Sequence, residues 1–416
     1  MRACLVLLLG WSAGCGDAIE ASPATSASIE TPPPIVAAPI EPAIEPAIEE
    51  DALVIEASGD LVLNGLAMGF IRDHANDGAG YRALLEGYAG TLRPGALTYL
   101  NLEMPLVDDH VALDGGWPRS RTERPRRAPV LGGSIALAEV LASMGVELVG
   151  LANNHALDQG HAGLRETIAA LDAAHLVHAG VGVDSDAAYA ARITLHRGHR
   201  IAFLSATDSM NRRSTDATPL SIARLDPEGP LLAAIASARS SAELVIVALH
   251  WSTDFVAEVS ASQRQLAQRL IDAGADVILG TGPHVLQPIE RFTSVRGDAW
   301  VAYSLGNLAS GMGRAHRLGV EPEHFIHPAN VRPEARDGVV LRLRVTLEPL
   351  AIEAEAVLLF TENDWLEHRE HPNLRVQPLT ESAFAVCEDR LPRVRAALGA
   401  EVPTIPDRCL HRPTMD

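Results

Sequence analysis

Residues 146–160 read VELVGLANNHALDQG, an apolar run that ends in two amides and an imidazole. The run Val146–Ala152 has the character of a buried strand, and a helical pattern follows it. Asparagine favours turns, so Asn153 and Asn154 could simply connect a strand to a helix. The alternative is that these side chains, with His155, belong to a reactive site. The remainder of the chain bears on the choice.

Short apolar runs alternate with helical patterns on both sides of this stretch. Six runs have the pattern of strands buried on both faces, at 52–58, 96–100, 146–152, 243–249, 275–280 and 299–305. Helical patterns occur at 134–143, 161–174, 228–239 and 260–273. This alternation predicts a layered α/β fold. Residues 338–360 alternate apolar and polar residues instead, which predicts half-exposed antiparallel strands.

Polar side chains follow all six buried runs. In open α/β sheets, ligands bind beyond the carboxyl ends of the strands, so we expect these side chains to meet at one edge. Taken singly, Asp60 could cap a turn and His250 could be a core histidine. Together, carboxylate, amide and imidazole groups suit one or two divalent ions of Mn, Fe, Zn or Mg. The residues concerned are Asp60, Glu103, Asn153, Asn154, His155, His250, His284 and Asn307.

A metal pair of this kind has a defined chemistry. A bridging carboxylate can hold two ions roughly 3.5–4 Å apart, which together bind an attacking hydroxide and a leaving oxygen. A nearby histidine that binds no metal can donate a proton to the leaving group. The pattern therefore predicts hydrolysis of a phosphoester or a related bond.

The charge of the chain limits the classes of molecule that it is expected to bind. The 416 residues carry a formal net charge of −19, and the basic residues are all arginine. This acidity argues against broad electrostatic binding of nucleic acid. Five arginines nevertheless lie within 119–127, ending at Arg127. Because guanidinium groups bind carboxylate or phosphate bidentately, we expect an anionic polymer or phosphoester substrate. The alternative is a solvated loop that balances neighbouring acids.

The first fifteen residues have the features of an export signal. Arg2 precedes the apolar run Leu5–Leu9, and small residues lead to Cys15, which resembles a bacterial lipobox. An ordinary cleaved signal is the alternative. Residues 16–51 are rich in Pro, Ala and Glu, which predicts an extended spacer. We therefore expect an exported lipoprotein of the cell envelope, periplasmic or on the outer surface, attached to the membrane by an N-terminal lipid.

After the signal at 1–15 and the linker at 16–51, we assign a main domain to 52–360 and a C-terminal extension to 361–416. Cys387 and Cys409 are the cysteines that remain in the folded part. In an oxidising compartment we expect them to form a disulfide. Two free buried thiols are the alternative.

Six motifs, taken in order, resemble those of the CapA-type capsule synthesis proteins over residues 53–310. They are GDLVLNG (59–65), NLEMPL (101–106), LANNHALDQG (151–160), LHWSTDF (249–255), GTGPHVLQPIE (280–290) and YSLGN (303–307). The resemblance implies the fold of the calcineurin-type metallophosphoesterases, in which helices flank two packed mixed β-sheets in four layers. It also implies a part in the synthesis, export or anchoring of poly-γ-glutamate capsule.

The resemblance assigns roles to the candidate residues. It makes Asp60 a ligand of one ion, Glu103 the bridge, Asn154, His250 and His284 further ligands, and His155 the proton donor. Asp158 and Gly160 would hold the following helix. On the substrate side it places Arg127, Asn153, Asp254 and Asn307, with Asn153 also bonding locally and a structural role as the alternative for Asn307.

Two positions depart from the family pattern. Gly282 occupies the place of a histidine expected to bind the second ion, and Asp254 replaces a longer acid. The site could therefore hold one ion, or be a degenerate pocket. We expect either a metal-dependent hydrolase or a non-catalytic envelope protein that binds or anchors an anionic polymer.

Overall fold

The computed structural model describes the residues that follow the predicted spacer, with several gaps. They are 53–63, 67, 70–71, 78–108, 129–212, 218–251, 253–316, 328–368, 372–381 and 384–409. The predicted signal, the spacer and the arginine-rich segment with Arg127 lie outside this set. Within it, no helix is long and apolar enough to cross a membrane.

Strands and helices alternate along the described chain. The strands are β1 Leu53–Val62, β2 Leu97–Leu102, β3 Val146–Gly150, β4 Val177–Ala179, β5 Val181–Gly182, β6 Arg192–His196, β7 His199–Thr207, β8 Ser221–Ile222, β9 Leu244–His250, β10 Val277–Thr281, β11 Ile289–Ser294, β12 Gly297–Ala302, β13 Asn307–Ser310, β14 Asp337–Leu347, β15 Leu350–Asn363, β16 Leu374–Pro378 and β17 Thr404–Ile405. The helices are α1 Ala79–Ala89, α2 Ala136–Ser143, α3 Gly160–Ala173, α4 Ser185–Tyr189, α5 Gly229–Arg239, α6 Ala261–Asp272, α7 Pro328–Val331 and α8 Phe384–Leu398, with 3₁₀ turns at Pro333–Arg336 and Leu379–Glu381.

The main sheet consists of two halves. One half has the order β4-β3-β2-β1-β14-β15, and the other has the order β12-β10-β9-β7-β6. In each half, the strands next to the helices are parallel, and antiparallel strands complete the ladder. A single residue pair, Gly297 with Leu350, joins the halves. Strands β5 and β8 form a separate small ladder.

Three apolar clusters separate four layers. The first packs α1, α2 and α3 against one half-sheet. The second lies between the half-sheets, where the ring of Tyr99 meets that of Phe203 edge-on at 5.7 Å. The third packs α5 and α6 against the other half-sheet. Neighbouring residues of β2 and β9 contribute to different clusters, so these strands are buried on both faces. The predicted four-layer α/β fold with two packed mixed sheets is confirmed.

Two of the predicted strands differ from the observed ones. β1 does not end at Ser58 but continues to Val62, because its register against β2 and β13 shifts at Asp60. A bulge of this kind redirects a side chain without ending the strand. The antiparallel strands predicted at 338–360 exist. Their half-exposed character is found in the first part of β15 but is wrong for β14, which is buried along most of its length.

The C-terminal segment is part of the same core. The boundary assigned at residue 360 falls inside β15, and β16 and β17 both pair with that strand. Helix α8 packs into the cluster between the half-sheets through Leu391, Val394 and Leu398. The predicted disulfide between Cys387 and Cys409 is present, so it closes the chain end onto this core.

Replacing Cys387 and Cys409 together with alanine is expected to lower the free energy of unfolding by about 2–4 kcal/mol, because the bond closes a loop of moderate length. The two residues are 22 positions apart. Urea denaturation under oxidising conditions measures this loss. Reduction of the unsubstituted protein should shift the transition equally. Equal midpoints for variant and unsubstituted protein would contradict the expectation.

A buried ion pair joins the helical side of β1 to β14. The Arg342 guanidinium donates to Glu56 at 2.6 Å and to Glu355 at 2.8 Å, and both members of the first pair are buried. The backbone N–H of Arg93 donates to the other Glu56 oxygen at 2.9 Å. Burial raises the pKa of Glu56, and the charge of Arg342 opposes that rise.

Replacing Arg342 with methionine is expected to cost about 3–5 kcal/mol of stability at pH 7.5, because the Glu56 charge stays buried without its counter-ion. The pKa of Glu56 should rise further, and a raised carboxyl pKa costs stability as pH increases through that range. The deficit should therefore shrink toward pH 5. Urea titrations at both pH values test this. The double variant with Glu56→Leu should recover most of the loss, and a loss independent of pH would refute the explanation.

Candidate functional site

The carboxyl ends of the parallel strands of both half-sheets meet at one place. In the first half, Asp60 lies opposite Asn101. In the second, His250 lies opposite both Thr207 and Thr281. Asn101 links the two rows: its amide donates to Asp60 Oδ1 at 2.7 Å and approaches His250 Nδ1 at 3.4 Å. The strand-end side chains predicted to converge therefore come from both halves.

Carboxylates and imidazoles form a tight cluster here. One ligand atom each of Asp60, Glu103 and His284 lies within 4.8 Å of the others. His250 adds Nε2 at 3.6 Å from Glu103 Oε1 and Nδ1 at 3.8 Å from Asp60 Oδ1. His155 approaches from a third side, with Nε2 at 4.0 Å from Glu103 Oε1. The Glu103 carboxylate thus faces all three histidines.

The Glu103 carboxylate has no hydrogen-bond partner among the described residues, although both oxygens are fully buried. Asn154 Oδ1 is likewise buried and unpartnered there. Buried polar atoms are almost always bonded, because each orphan costs about 1–3 kcal/mol. Carboxylate, amide oxygen and imidazole are also ligands that Mn, Fe, Zn or Mg accept. The donor set therefore fits a divalent cation.

The electrostatics of the cluster also fit a cation. Burial raises the pKa of Glu103 well above its ordinary value, and Asp60, Asp254 and Asp158 raise it further. Burial also raises the pKa of Asp60. The pKa of His250 is well below its ordinary value, because of burial and then the nearby His284 and His155. The site thus disfavours both a negative charge on Glu103 and Asp60 and a positive charge on His250. A bound cation would favour ionised carboxylates and neutral imidazoles.

His155 is held by a buried carboxylate. Its Nδ1 lies 2.6 Å from Asp158 Oδ2, which also accepts the backbone N–H of Leu131 at 2.7 Å. The other Asp158 oxygen accepts from Arg212 Nε at 3.0 Å. Because an ionised Asp158 only accepts, the Nδ1 proton donates to it and Nε2 faces the cluster. Asp158 was predicted to hold the following helix, and its contacts instead orient His155.

Residues that follow β7 complete this side of the site and were not predicted. Asn211 Nδ2 lies 3.2 Å from His155 Nε2, and its backbone N–H donates to the carbonyl of Asn154 at 2.9 Å. The signal was available: the apolar run Ile201–Ala206 precedes a polar stretch, as in the other strand ends. That run is not among the six predicted strands.

Asn153 and Asn307, both expected on the substrate side, make buried contacts with the histidines, and the local hydrogen bond expected of Asn153 is present. Asn153 is fully buried, donates to the Leu102 carbonyl at 2.8 Å and accepts the His155 backbone N–H at 3.2 Å. Asn307 is also buried, and its Oδ1 lies 3.0 Å from His284 Nδ1 while its amide donates to Ala335. Both therefore brace the histidines. Asp254 is exposed, and Arg127 lies outside the described residues.

Gly282 has a backbone conformation and a hydrogen bond that give it a structural role in the site. Its φ of 102° is a left-handed value that favours glycine, and a Cβ there would lie 2.1 Å from the Trp251 carbonyl oxygen. Its backbone N–H donates to Asp60 Oδ2 at 2.8 Å. The position thus supplies a hydrogen bond to a carboxylate where the family pattern has an imidazole. His284, two residues on, also has a positive φ of 58°.

A family model described as bacterial capsule synthesis protein PGA_cap matches residues 54–312. The match contains every described side chain of the cluster. The chain belongs to this family. Our CapA-type interpretation of the six motifs is thereby confirmed.

Curated relatives carry capsule-related names. The PGA biosynthesis protein CapA of Bacillus subtilis is 35% identical over 178 residues, which are 42% of this chain and 45% of that protein. The capsule biosynthesis protein CapA of Bacillus anthracis is 34% identical over 175 residues, 41% of each chain. This family member thus spans under half the length of these relatives.

Likeness to solved structures is weak. A hypothetical protein from Thermus thermophilus is 17% identical, with a TM-score of 0.37, and the match covers 74% of this chain and 99% of that one. A score this low does not relate the two folds. The four-layer assignment therefore depends on the strand order and the three apolar clusters.

Proposed function

We propose that this protein is a metal-dependent hydrolase of phosphoester or related bonds that serves capsule polymer synthesis or export in the cell envelope. The observation that carries the proposal is the Glu103 carboxylate, buried without a partner among the described residues and ringed by Asp60, His250 and His284. The family membership supports the capsule role. The predicted lipid anchor, at Cys15, would hold the enzyme at the membrane.

Five side chains would hold one or two ions of Mn, Fe, Zn or Mg: Asp60, Glu103, Asn154, His250 and His284. When bound, such ions supply Lewis acidity and lower the pKa of a water. His155 would act as the general acid in its doubly protonated form, in which Nδ1–H donates to Asp158 and Nε2–H points at the cluster and is given to the leaving oxygen. Asn211 would position the imidazole, and Asp254 lies exposed nearby for a substrate contact.

A second candidate is a non-catalytic envelope protein that binds or anchors an anionic polymer. Gly282 favours it, since the backbone there has no room for the ligand expected at a second metal position. In that case the cluster would hold at most a structural ion, and binding would be independent of His155.

Metal content and hydrolysis, measured together, separate the two candidates. The purified protein is supplied with Mn, Fe, Zn or Mg, desalted and analysed by elemental mass spectrometry beside a His284→Ala variant. His199→Ala serves as the matched control, because His199 pairs with Glu243 at the surface. One or two ions per chain, lost only in His284→Ala, together with hydrolysis of bis(p-nitrophenyl) phosphate, would support the hydrolase. Absence of bound metal under all four conditions would refute it.

A further inference from the structure

A cavity adjoins the His155–Asp158 pair and plays no part in the metal cluster. Its volume is about 530 Å³. One wall comes from the loop and first turn that follow β3, and the other from residues 210–212 and 220–224. The described lining residues are Leu157, His161, Met210, Arg212, Leu220, Ile222 and Arg224.

Two residues of the cavity lining directly precede residues that contact the proposed proton donor, His155. Leu157 precedes Asp158 in the chain, and Met210 precedes Asn211, whose amide lies 3.2 Å from His155 Nε2. Arg212 belongs to both places, because it lines the cavity and donates to Asp158. A molecule in the cavity would therefore contact Arg212, which bonds to the carboxylate that holds the imidazole.

The lining combines an apolar surface with positive charge. Leu157, Met210, Leu220 and Ile222 supply the apolar part, and no described lining residue is a carboxylate. Arg224 is fixed by its Nη2 bond to the Asp208 carbonyl and by the bond from its backbone N–H to Tyr189 Oη. Guanidinium groups held in this way are suited to carboxylate or phosphate oxygens.

We propose that this cavity binds the part of the substrate next to the hydrolysed bond, and that this part is an aliphatic segment bearing an anionic group. The inference rests on the proposed function for its link to hydrolysis. Arg224 supplies specificity for the anion, while the apolar wall accepts the aliphatic segment. In a chain with a net charge of −19, this local positive surface counteracts the repulsion of an anionic substrate.

Binding of small probes to the full-length, metal-free protein tests the cavity separately from the metal cluster. The probes are glutarate, propyl phosphate and the neutral glutaramide, followed by ligand-observed NMR titration. Both acids, or one of them, should bind more tightly than glutaramide. Which acid binds more tightly identifies the anionic group as carboxylate or phosphate.

Two variants assign the binding to this place. Arg224→Gln should weaken binding of the acid by roughly tenfold or more, as loss of a charge-assisted hydrogen bond does. Leu220→Trp should also weaken it, because a larger side chain fills the cavity while both charges remain. Arg375→Gln is the matched control, since that arginine is exposed on β16 and pairs with Glu362.

Equal affinity for acids and amide, or acid binding unchanged by both cavity variants, would overturn the inference. Metal uptake is measured on the same samples. Normal probe binding without metal uptake would refute the hydrolase and leave the cavity proposal standing. Normal metal uptake without selective probe binding would refute the cavity proposal and leave the hydrolase standing.

Discussion

Replacing His155 with alanine is expected to lower the turnover of a phosphodiester with a poorly acidic leaving group, such as an alkyl or phenyl ester, by about 10²- to 10⁴-fold, the usual contribution of a general acid. The imidazole lies 4.0 Å from Glu103 by its Nε2 and is bound to Asp158 by its Nδ1. It is therefore placed to give a proton to a leaving oxygen at the cluster. Metal content should stay unchanged, since the proposed ligands remain.

Steady-state kinetics and elemental analysis on the same preparation measure both expectations. Asp158→Asn should lower turnover as well, because an amide oxygen cannot hold the imidazolium as a carboxylate does. A more acidic, better leaving group should restore part of the rate of His155→Ala, since it needs less protonation. The matched control is His199→Ala. Undiminished turnover in His155→Ala would exclude the proton-donor role and move the assignment to another group.

Replacing Glu103 with glutamine is expected to remove metal binding and, with it, hydrolysis. The change keeps the size of the side chain but removes the charge that faces three histidines. In the metal-free protein the same variant should be more stable at pH 8, by about 1 kcal/mol or more, because a buried carboxylate without partners is costly. Glu103 would thus be required for function and, at the same time, would lower the stability of the metal-free protein.

The pH dependence of this gain has a defined sign. Burial raises the pKa of Glu103, so the folded protein keeps its proton to higher pH than the unfolded chain does. Stability then falls as pH rises above the ordinary carboxyl pKa, and the advantage of Glu103→Gln shrinks toward pH 5.

Thermal denaturation in chelator-treated samples at pH 5 and 8 measures that difference. Glu362→Gln is the control, because Glu362 lies at the surface and pairs with Arg375. A metal-free Glu103→Gln protein less stable than the unsubstituted one at both pH values would show that the carboxylate has partners of its own. Retained metal in the variant would remove Glu103 from the ligand set.

The sequence predicted the fold through its buried parallel strands, because a strand covered on both faces is a continuous apolar run. It failed where tertiary contacts decide. The extension after residue 360 has too mixed a pattern to indicate that α8 packs between the half-sheets, whereas the run Ile201–Ala206 resembles the predicted strands and was overlooked. The bulge that keeps Asp60 inside β1 depends on pairing with β2 and β13, which no local pattern reveals.

The candidate site was predicted in its residue types and less well in their contacts. Side chains at strand ends were expected to meet, and Asp60, Glu103 and His284 do so. The local hydrogen bond predicted for Asn153 is present, whereas the specific contact of Asn307 with His284 was not predicted, because the sequence does not show whether an asparagine in a motif binds a ligand or supports a neighbouring side chain. The carboxylate of Asp158 likewise turns toward His155 only once the loop after β3 is folded.

Among the described residues, the two half-sheets share a single strand-pairing contact, and Glu103 and His250 stand on opposite halves. The apolar layer that holds Tyr99, Phe203 and Ala248 lies between the halves, so its thickness contributes to the 3.6 Å separation of these side chains. A bulkier residue at Ala248 is therefore expected to push the halves apart and to alter metal affinity, although Ala248 is not itself a proposed ligand.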